Sequence, residues 1–169
     1  MTLLIDGYNL LHASGVFPAT STSPTLENAR LALLDFLAAS LAEKLVGRTT
    51  VVFDAANAPP GLPREWTHRG LAVRFARRGG SADELLEELI AAAPDPRNLL
   101  VVSSDHRVQR AARQRGASFA DSESWHRQLT ADIAARSRPS QAGDKPAAQI
   151  DNPFPPGYAD DVARELPSD

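Results

Sequence analysis

Leu3-Leu4-Ile5-Asp6-Gly7-Tyr8-Asn9-Leu10 opens the chain with an apolar run that stops at a carboxylate. The same device returns twice. Thr49-Thr50-Val51-Val52-Phe53 ends at Asp54, and Asn98-Leu99-Leu100-Val101-Val102 reaches Asp105 through Ser103 and Ser104. Leu, Ile and Val run on without polar alternation in all three, which suits parallel strands covered on both faces. The predicted strands are therefore 2–6, 49–54 and 98–105. A fourth is expected at 71–76 and a short fifth at 117–119. Gly7, directly after Asp6, is read as letting the backbone turn tightly.

Helical periodicity fills the gaps between these runs. Leu26, Ala29, Leu33, Leu37, Leu41 and Leu45 recur every three or four residues, after a Ser23-Pro24 start and before a Gly47 stop. Ser81-Ala82-Asp83-Glu84 matches a capping box, and Leu86, Leu89 and Ile90 supply an apolar face that ends before Pro94. A third helix is expected from Asp105 to Arg115, with Gly116 after it, and a fourth from Ser122 to Arg136. Strands alternating with helices imply right-handed βαβ units, hence an α/β fold with a mostly parallel sheet between two helical layers.

Beyond Arg136 the character changes. Six of the thirteen prolines fall from Pro139 onward, among Ser, Gly and Asp. Residues 1–136 read as one domain, and 137–169 as a proline-rich acidic tail, expected to be disordered. Net charge is -3, but residues 151–169 hold five acids against one base, so the first 150 residues carry +1. Cysteine is absent, which removes disulfides, thiolate metal sites and thiol nucleophiles. The opening apolar run is too short for a signal peptide, and no stretch approaches the roughly 20 apolar residues of a membrane helix. A cytoplasmic location without membrane attachment is the expectation. Nothing in the sequence fixes an oligomeric state.

Ligands of open parallel sheets bind beyond the carboxyl ends of the strands. Asp6, Asp54 and Asp105 end strands at that edge, and Asp83 joins them if its helix starts there. Converging carboxylates repel one another, which raises their pKa values or calls for a cation. Oxygen donors without Cys or spaced His suit Mg²⁺ or Mn²⁺. Such an ion can activate water and stabilise a displaced phosphate-ester oxygen. Each acid also has a plainer role. Asp105 sits where a helix N-cap is needed, Asp83 where the helix dipole favours a carboxylate, and Asp54 before a loop.

The motifs around these acids resemble the NYN domain, in particular its YacP-like bacterial branch within the PIN-like nucleases. Leu3 to His12 is similar to its opening motif, and Val51-Val52-Phe53-Asp54-Ala55 to its second-strand motif. Arg78 to Glu84 is similar to its loop-to-helix motif, and Val101 to Asp105 to its later strand-end motif. The four occur in family order over 3–136, with the tail outside. Ala55-Ala56-Asn57 departs from the pattern, since many relatives carry more polar residues there. The resemblance implies a PIN-like, Rossmann-like sheet and a metal-dependent ribonuclease, endonucleolytic by preference. Its implied metal-binding and catalytic set is Asp6, Asp54, Asp83 and Asp105, with Asp6 and Asp83 as the indispensable pair. The alternative is a non-catalytic RNA-binding or adaptor protein on the same fold, which would be expected to lose an acid; none is missing.

The implied partner is RNA, single-stranded by expectation. Arg77 and Arg78 lead toward Asp83 and are candidates to hold phosphates, with Ser81 beside them. Tyr8 is a stacking candidate because it neighbours Asp6. Asn9 could position a ligand or tie down the turn after Gly7. Arginines from 107 to 115 read as a solvated helix face, and Trp66 and Trp125 as packing residues before stacking ones. Two rival chemistries fail on their motifs. Phosphotransfer of the haloacid-dehalogenase type needs a second Asp two residues after the first, where this chain has Tyr8. Receiver domains need a late strand-end lysine, and Lys44 and Lys145 are not so placed. No glycine fingerprint for a dinucleotide follows the first strand.

Overall fold

Thr2–Asp6 (β1) lies in the middle of a six-stranded sheet in a computed structural model that describes residues 1–15, 23–55 and 63–137, with backbone alone at 23 and 24. The chain continues through α1 (Gly7–Ala13), α2 (Ser23–Ser40), α3 (Glu43–Val46), β2 (Thr49–Phe53), β3 (Glu65–His68) and β4 (Leu71–Phe75). It closes with α4 (Ala82–Ala92), β5 (Leu99–Val102), α5 (His106–Arg115), β6 (Ser118–Ala120) and α6 (Ser122–Ser137). Strand order is β3-β4-β2-β1-β5-β6. All neighbours are parallel except β3 and β4.

The continuous apolar strands are buried on both faces, as their composition demands. Leu3, Ile5, Val51 and Phe53 point into a core shared with Leu10, Leu11, Leu34, Leu37 and Leu129 from α1, α2 and α6. Leu4, Val52 and Val101 point the other way, onto Leu86, Ile90, Val108 and Ala112 of α4 and α5. This is the expected three-layer α/β/α arrangement of the PIN-like class. Each fully buried Leu, Ile or Phe contributes about 1.5–3 kcal/mol by leaving water. Because the central strands are parallel, their carboxyl ends share one edge, and the residues after them form one rim.

Four local readings need correction. Gly7 does not make a turn; it is the first residue of α1, an unexpected helix capped by Asp6. Glycine is needed there because a Cβ would overlap the Phe53 ring. The long helix expected up to Gly47 breaks at Ala42, whose backbone is extended (φ -61°, ψ 140°), and α3 restarts with its N–H groups bonding to Ala42 O. Strand β3 was not foreseen. It makes a hairpin with β4 through Arg69 (φ 47°) and Gly70 (φ 90°), the paired positive angles of a two-residue hairpin turn. The last helix includes Ser137, where the tail was expected to begin. The rest of that tail, and the departure at Ala56 and Asn57, lie outside the described residues.

Candidate active site

Asp6 is the most constrained acid on the rim. It is 2% exposed and caps α1. Its Oδ1 accepts the Asn9 backbone N–H at 3.1 Å, and its Oδ2 accepts Asn9 Nδ2 at 2.7 Å and Ser103 Oγ at 3.1 Å. Burial pushes the Asp6 carboxyl above the ordinary aspartate value, against the pull of those hydrogen bonds, and the nearby Asp105 charge pushes the same way. Three of its roughly four acceptor positions are used, which leaves capacity on Oδ1. Of the two roles open to Asn9, this geometry fills the second in a specific form: both its nitrogens hold Asp6.

Asp105 caps α5, accepting the Arg107 N–H at 2.6 Å, so its plainer role is real. Its own N–H donates to Ser103 Oγ at 3.1 Å. Ser103, completely buried, thus ties the loops after β1 and β5 together through one hydroxyl. In the sequence Ser103 reads only as a link between a strand and Asp105. The signal available was its position one residue past a buried strand, where a small hydroxyl can turn back to the rim.

Asp83 stands in the first turn of α4, behind a complete capping box: Ser81 Oγ accepts the Glu84 N–H at 3.2 Å, and Glu84 Oε2 accepts the Ser81 N–H at 3.3 Å. Ser81 and Glu84 are therefore occupied with the helix. Asp83 accepts no hydrogen bond from any described residue. Desolvation raises its pKa most, followed by the charges of Asp105 and Asp6, with Arg107 opposing. The charges of Asp6 and Asp105 thus both act on Asp83, and that of Asp105 also acts on Asp6. Asp54 is different: its resolved electrostatic influence falls on Tyr8, and it is not among the main charges acting on Asp6 or Asp83.

The donor set is all oxygen, which fits a hard divalent cation. Among the described residues, however, no group of three or more His, Cys, Asp or Glu side chains stands ready to enclose an ion. A Mg²⁺-like ion needs no such cage, because it is commonly held by one or two carboxylates with water and substrate phosphate completing the shell.

The basic residues sort by their partners. His68 and Arg69 both bind Asp35, at 2.9 and 3.0 Å, and Arg74 pairs with Glu65 at 3.4 Å. Arg107 makes a two-pronged bond to Glu87, 2.7 Å on each arm, and Arg113 lies over the Phe119 ring. Arg77 and Arg78 are exposed. Arg77 lines a groove of about 410 Å³ with Arg64, Arg74, Glu84 and Glu88, along a flank of α4 that Asp83 does not line. Trp66 packs on Phe75 with ring centroids 5.3 Å apart, and Trp125 packs on the same core, as packing residues should.

A further strand-end acid, not singled out by its sequence, stands on the same edge. Asp121 follows β6 and sits in front of α6. Its Oδ1 accepts the N–H groups of Glu123 and Ser124 at 3.0 and 3.1 Å, and its Oδ2 accepts Ser104 Oγ at 2.6 Å. The Ser104 bond above all holds its pKa below the ordinary value. The available signal was Phe119-Ala120-Asp121, the same apolar-then-aspartate pattern on a shorter strand.

Comparison with known proteins agrees with this fold. The profile of the YacP-like NYN domain matches residues 3–153, which continues past Arg136 into the segment read as tail. The solved structure of Rae1 (YacP) from Bacillus subtilis is 29% identical over 82% of this chain and 80% of that one, with a TM-score of 0.61. A tryptophan-to-leucine mutant of the same protein gives 28% identity, 80% and 79% coverage, and a TM-score of 0.60. No curated protein matches.

Proposed function

Since the chain belongs to the YacP-like NYN domain family, a family of nuclease-like domains, we propose that it is a divalent-metal-dependent endoribonuclease acting on single-stranded RNA. The observation that carries this reading is that the buried Ser103 hydroxyl ties the Asp6 carboxylate to the Asp105 backbone, with the charges of both acids acting on Asp83. Asp6 and Asp105 serve the fold as helix caps, but the charge they press on Asp83 opposes folding, and a ligand of opposite charge would offset it. Bound there, Mg²⁺ or Mn²⁺ would supply Lewis-acid stabilisation of phosphate charge and a more acidic water.

The chain's own residues have separable tasks. Asp6 and Asp83 would hold the ion. Asn9 and Ser103 fix the Asp6 carboxylate so that its spare acceptor capacity faces one way. Asp105 would hold water on the ion, while its N–H keeps Ser103 in place. Asp54 would act from beside Tyr8 rather than as a direct ligand. Arg77 and Arg78 would meet phosphates farther along the strand, through exposed side chains. This chemistry would reside in the strand-end residues of the described body.

The test is end-labelled single-stranded RNA with Mn²⁺. Wild type should give internal fragments, chelator should stop the reaction, and Asp6→Asn should lower the rate by about 10³-fold or more. Cleavage by Asp6→Asn at the wild-type rate, or cleavage in excess chelator, contradicts the proposal. RNA retained in a gel shift without cleavage would favour the adaptor reading.

A further inference from the structure

Asp83 and Asp105 reach the rim on different helices. Asp83 stands in the first turn of α4, and Asp105 caps α5. The two helices share one face of the sheet, where Leu86 and Ile90 of α4 join a core with Val108 and Ala112 of α5. Apolar burial is non-directional, and at the first turns the repulsion of two carboxylates opposes it. Asp83 accepts no hydrogen bond from any described residue. Its place at the rim is therefore only as fixed as the first turns of α4.

Arg107 spans the two helices at that end. Its Nε and Nη2 donate to Oε1 and Oε2 of Glu87, at 2.7 Å on each arm. Glu87 lies one helical turn beyond Asp83, on the same face of α4. The Arg107 backbone N–H is the one that Asp105 Oδ1 accepts at 2.6 Å. Contacts thus run from Asp105 through Arg107 to the helix face that carries Asp83. A two-pronged guanidinium–carboxylate pair fixes an angle as well as a distance. The far ends of the helices have a looser tie, a single bond of 3.4 Å from Arg115 Nη2 to Ala93 O. It lies about 15 Å along α4 from Asp83.

The sequence reading of Arg107 as part of a solvated helix face does not account for this geometry. Nor does stability, since the Arg107 and Glu87 side chains are 55% and 31% exposed and such pairs contribute little. The Arg107 charge also acts on Asp83 and would oppose the approach of a cation. We propose that the Glu87–Arg107 pair sets the separation of Asp83 from Asp105, and so the gap between α4 and α5 that a divalent cation enters. Both are positioning residues, acting through Asp83 and Asp105. The inference rests on the metal-dependent reading above.

The test is Mn²⁺ binding measured by calorimetry without RNA, so that no cleavage step enters. Arg107→Ala removes a positive charge from beside the acids, and by charge alone it should tighten Mn²⁺ binding. The positioning role predicts the reverse, binding weaker by about 10–100-fold. Arg107→Lys keeps the charge but loses the fork, and should weaken binding too. The exchanged pair, Glu87→Arg with Arg107→Glu, should recover most of the loss. Arg115→Ala should leave the Mn²⁺ dissociation constant unchanged. All should melt within about 4 °C of wild type; if Arg107→Ala melts lower, Arg107→Lys carries the comparison. Unchanged or tighter binding in the Arg107 variants would overturn the proposal. So would an exchanged pair as weak as Arg107→Ala, or an equal loss in Arg115→Ala. If wild type binds no Mn²⁺, the metal-dependent reading falls and this inference with it, an outcome visible in the wild-type control alone.

Discussion

Asp121 and Asp83 occupy the same edge of the same sheet, each at the start of a helix, and the fold treats them in opposite ways. Asp121 receives two backbone N–H groups and the Ser104 hydroxyl, and its pKa is lowered. Asp83 receives no hydrogen bond from any described residue, feels the charges of Asp105 and Asp6, and its pKa is raised. Sequence position cannot separate them, since both read as acids at helix N-termini. What separates them is whether the protein supplies the donors that a carboxylate requires. A satisfied acid holds the structure together. An unsatisfied acid costs stability and is available to something outside the chain.

The comparison can be broken in several places. One break is Ser103→Ala, which removes the hydroxyl joining Asp6 to the Asp105 backbone. Cleavage should fall about 10–100-fold, as for other residues that orient a metal ligand, while Asp6 itself remains. Initial rates across a Mn²⁺ titration check this, and an unchanged rate would remove Ser103 from the site.

Asp121→Ala should lower the melting temperature by about 4 °C, the consequence of losing roughly 1 kcal/mol of N-cap stabilisation, with cleavage retained. Asp83→Asn should do the reverse, raising the melting temperature by about 2 °C while abolishing cleavage, because it relieves repulsion from two neighbours. The pH dependences should differ in sign. The folded state holds the Asp83 proton more tightly than the unfolded state does. Stability attributable to it is therefore greatest below the ordinary value of 3.8 and is lost as pH rises through the raised folded pKa. For Asp121 stability is present above the ordinary value and is lost as pH falls through the lowered one. Denaturant melts of both variants between pH 3 and 7, roughly the range in which carboxylates titrate, should diverge from wild type in opposite directions.

The smallest effect should come from Asp35→Asn, at the far edge of the sheet. Asp35 pairs with His68 and Arg69 and is largely solvated. Loss of these surface pairs should shift the melting temperature by no more than about 2 °C and leave cleavage unchanged. A drop in cleavage would show that the arginine-rich edge is linked to the rim.

The sheet was legible because its central strands have no polar alternation: Leu3 to Ile5, Val51 to Phe53 and Leu99 to Val102 need cover on both faces. Strand β3 was not, because Glu65-Trp66-Thr67-His68 is an edge strand with half its residues in water, and its turn uses Arg69-Gly70 where Asn-Gly would have announced it. Helix α1 was hidden by Gly7, whose reason for being glycine is the Phe53 ring arriving from another strand. Asp6, Asp83 and Asp105 were legible as candidates by their recurrence at strand and helix ends. Ser103 and Asp121 were not, because their roles come from contacts with Asp6 and Ser104 that only the assembled fold creates.

The most direct measurement of the central claim is the thermal melt with and without Mn²⁺ for wild type, Asp83→Asn and Asp121→Ala. If the rim acids await a cation, a Mn²⁺ concentration near 100 times its dissociation constant should stabilise wild type by about 2.7 kcal/mol. Asp121→Ala should gain as much, and Asp83→Asn less than half. Equal gains in all three proteins, or none in wild type, would contradict it.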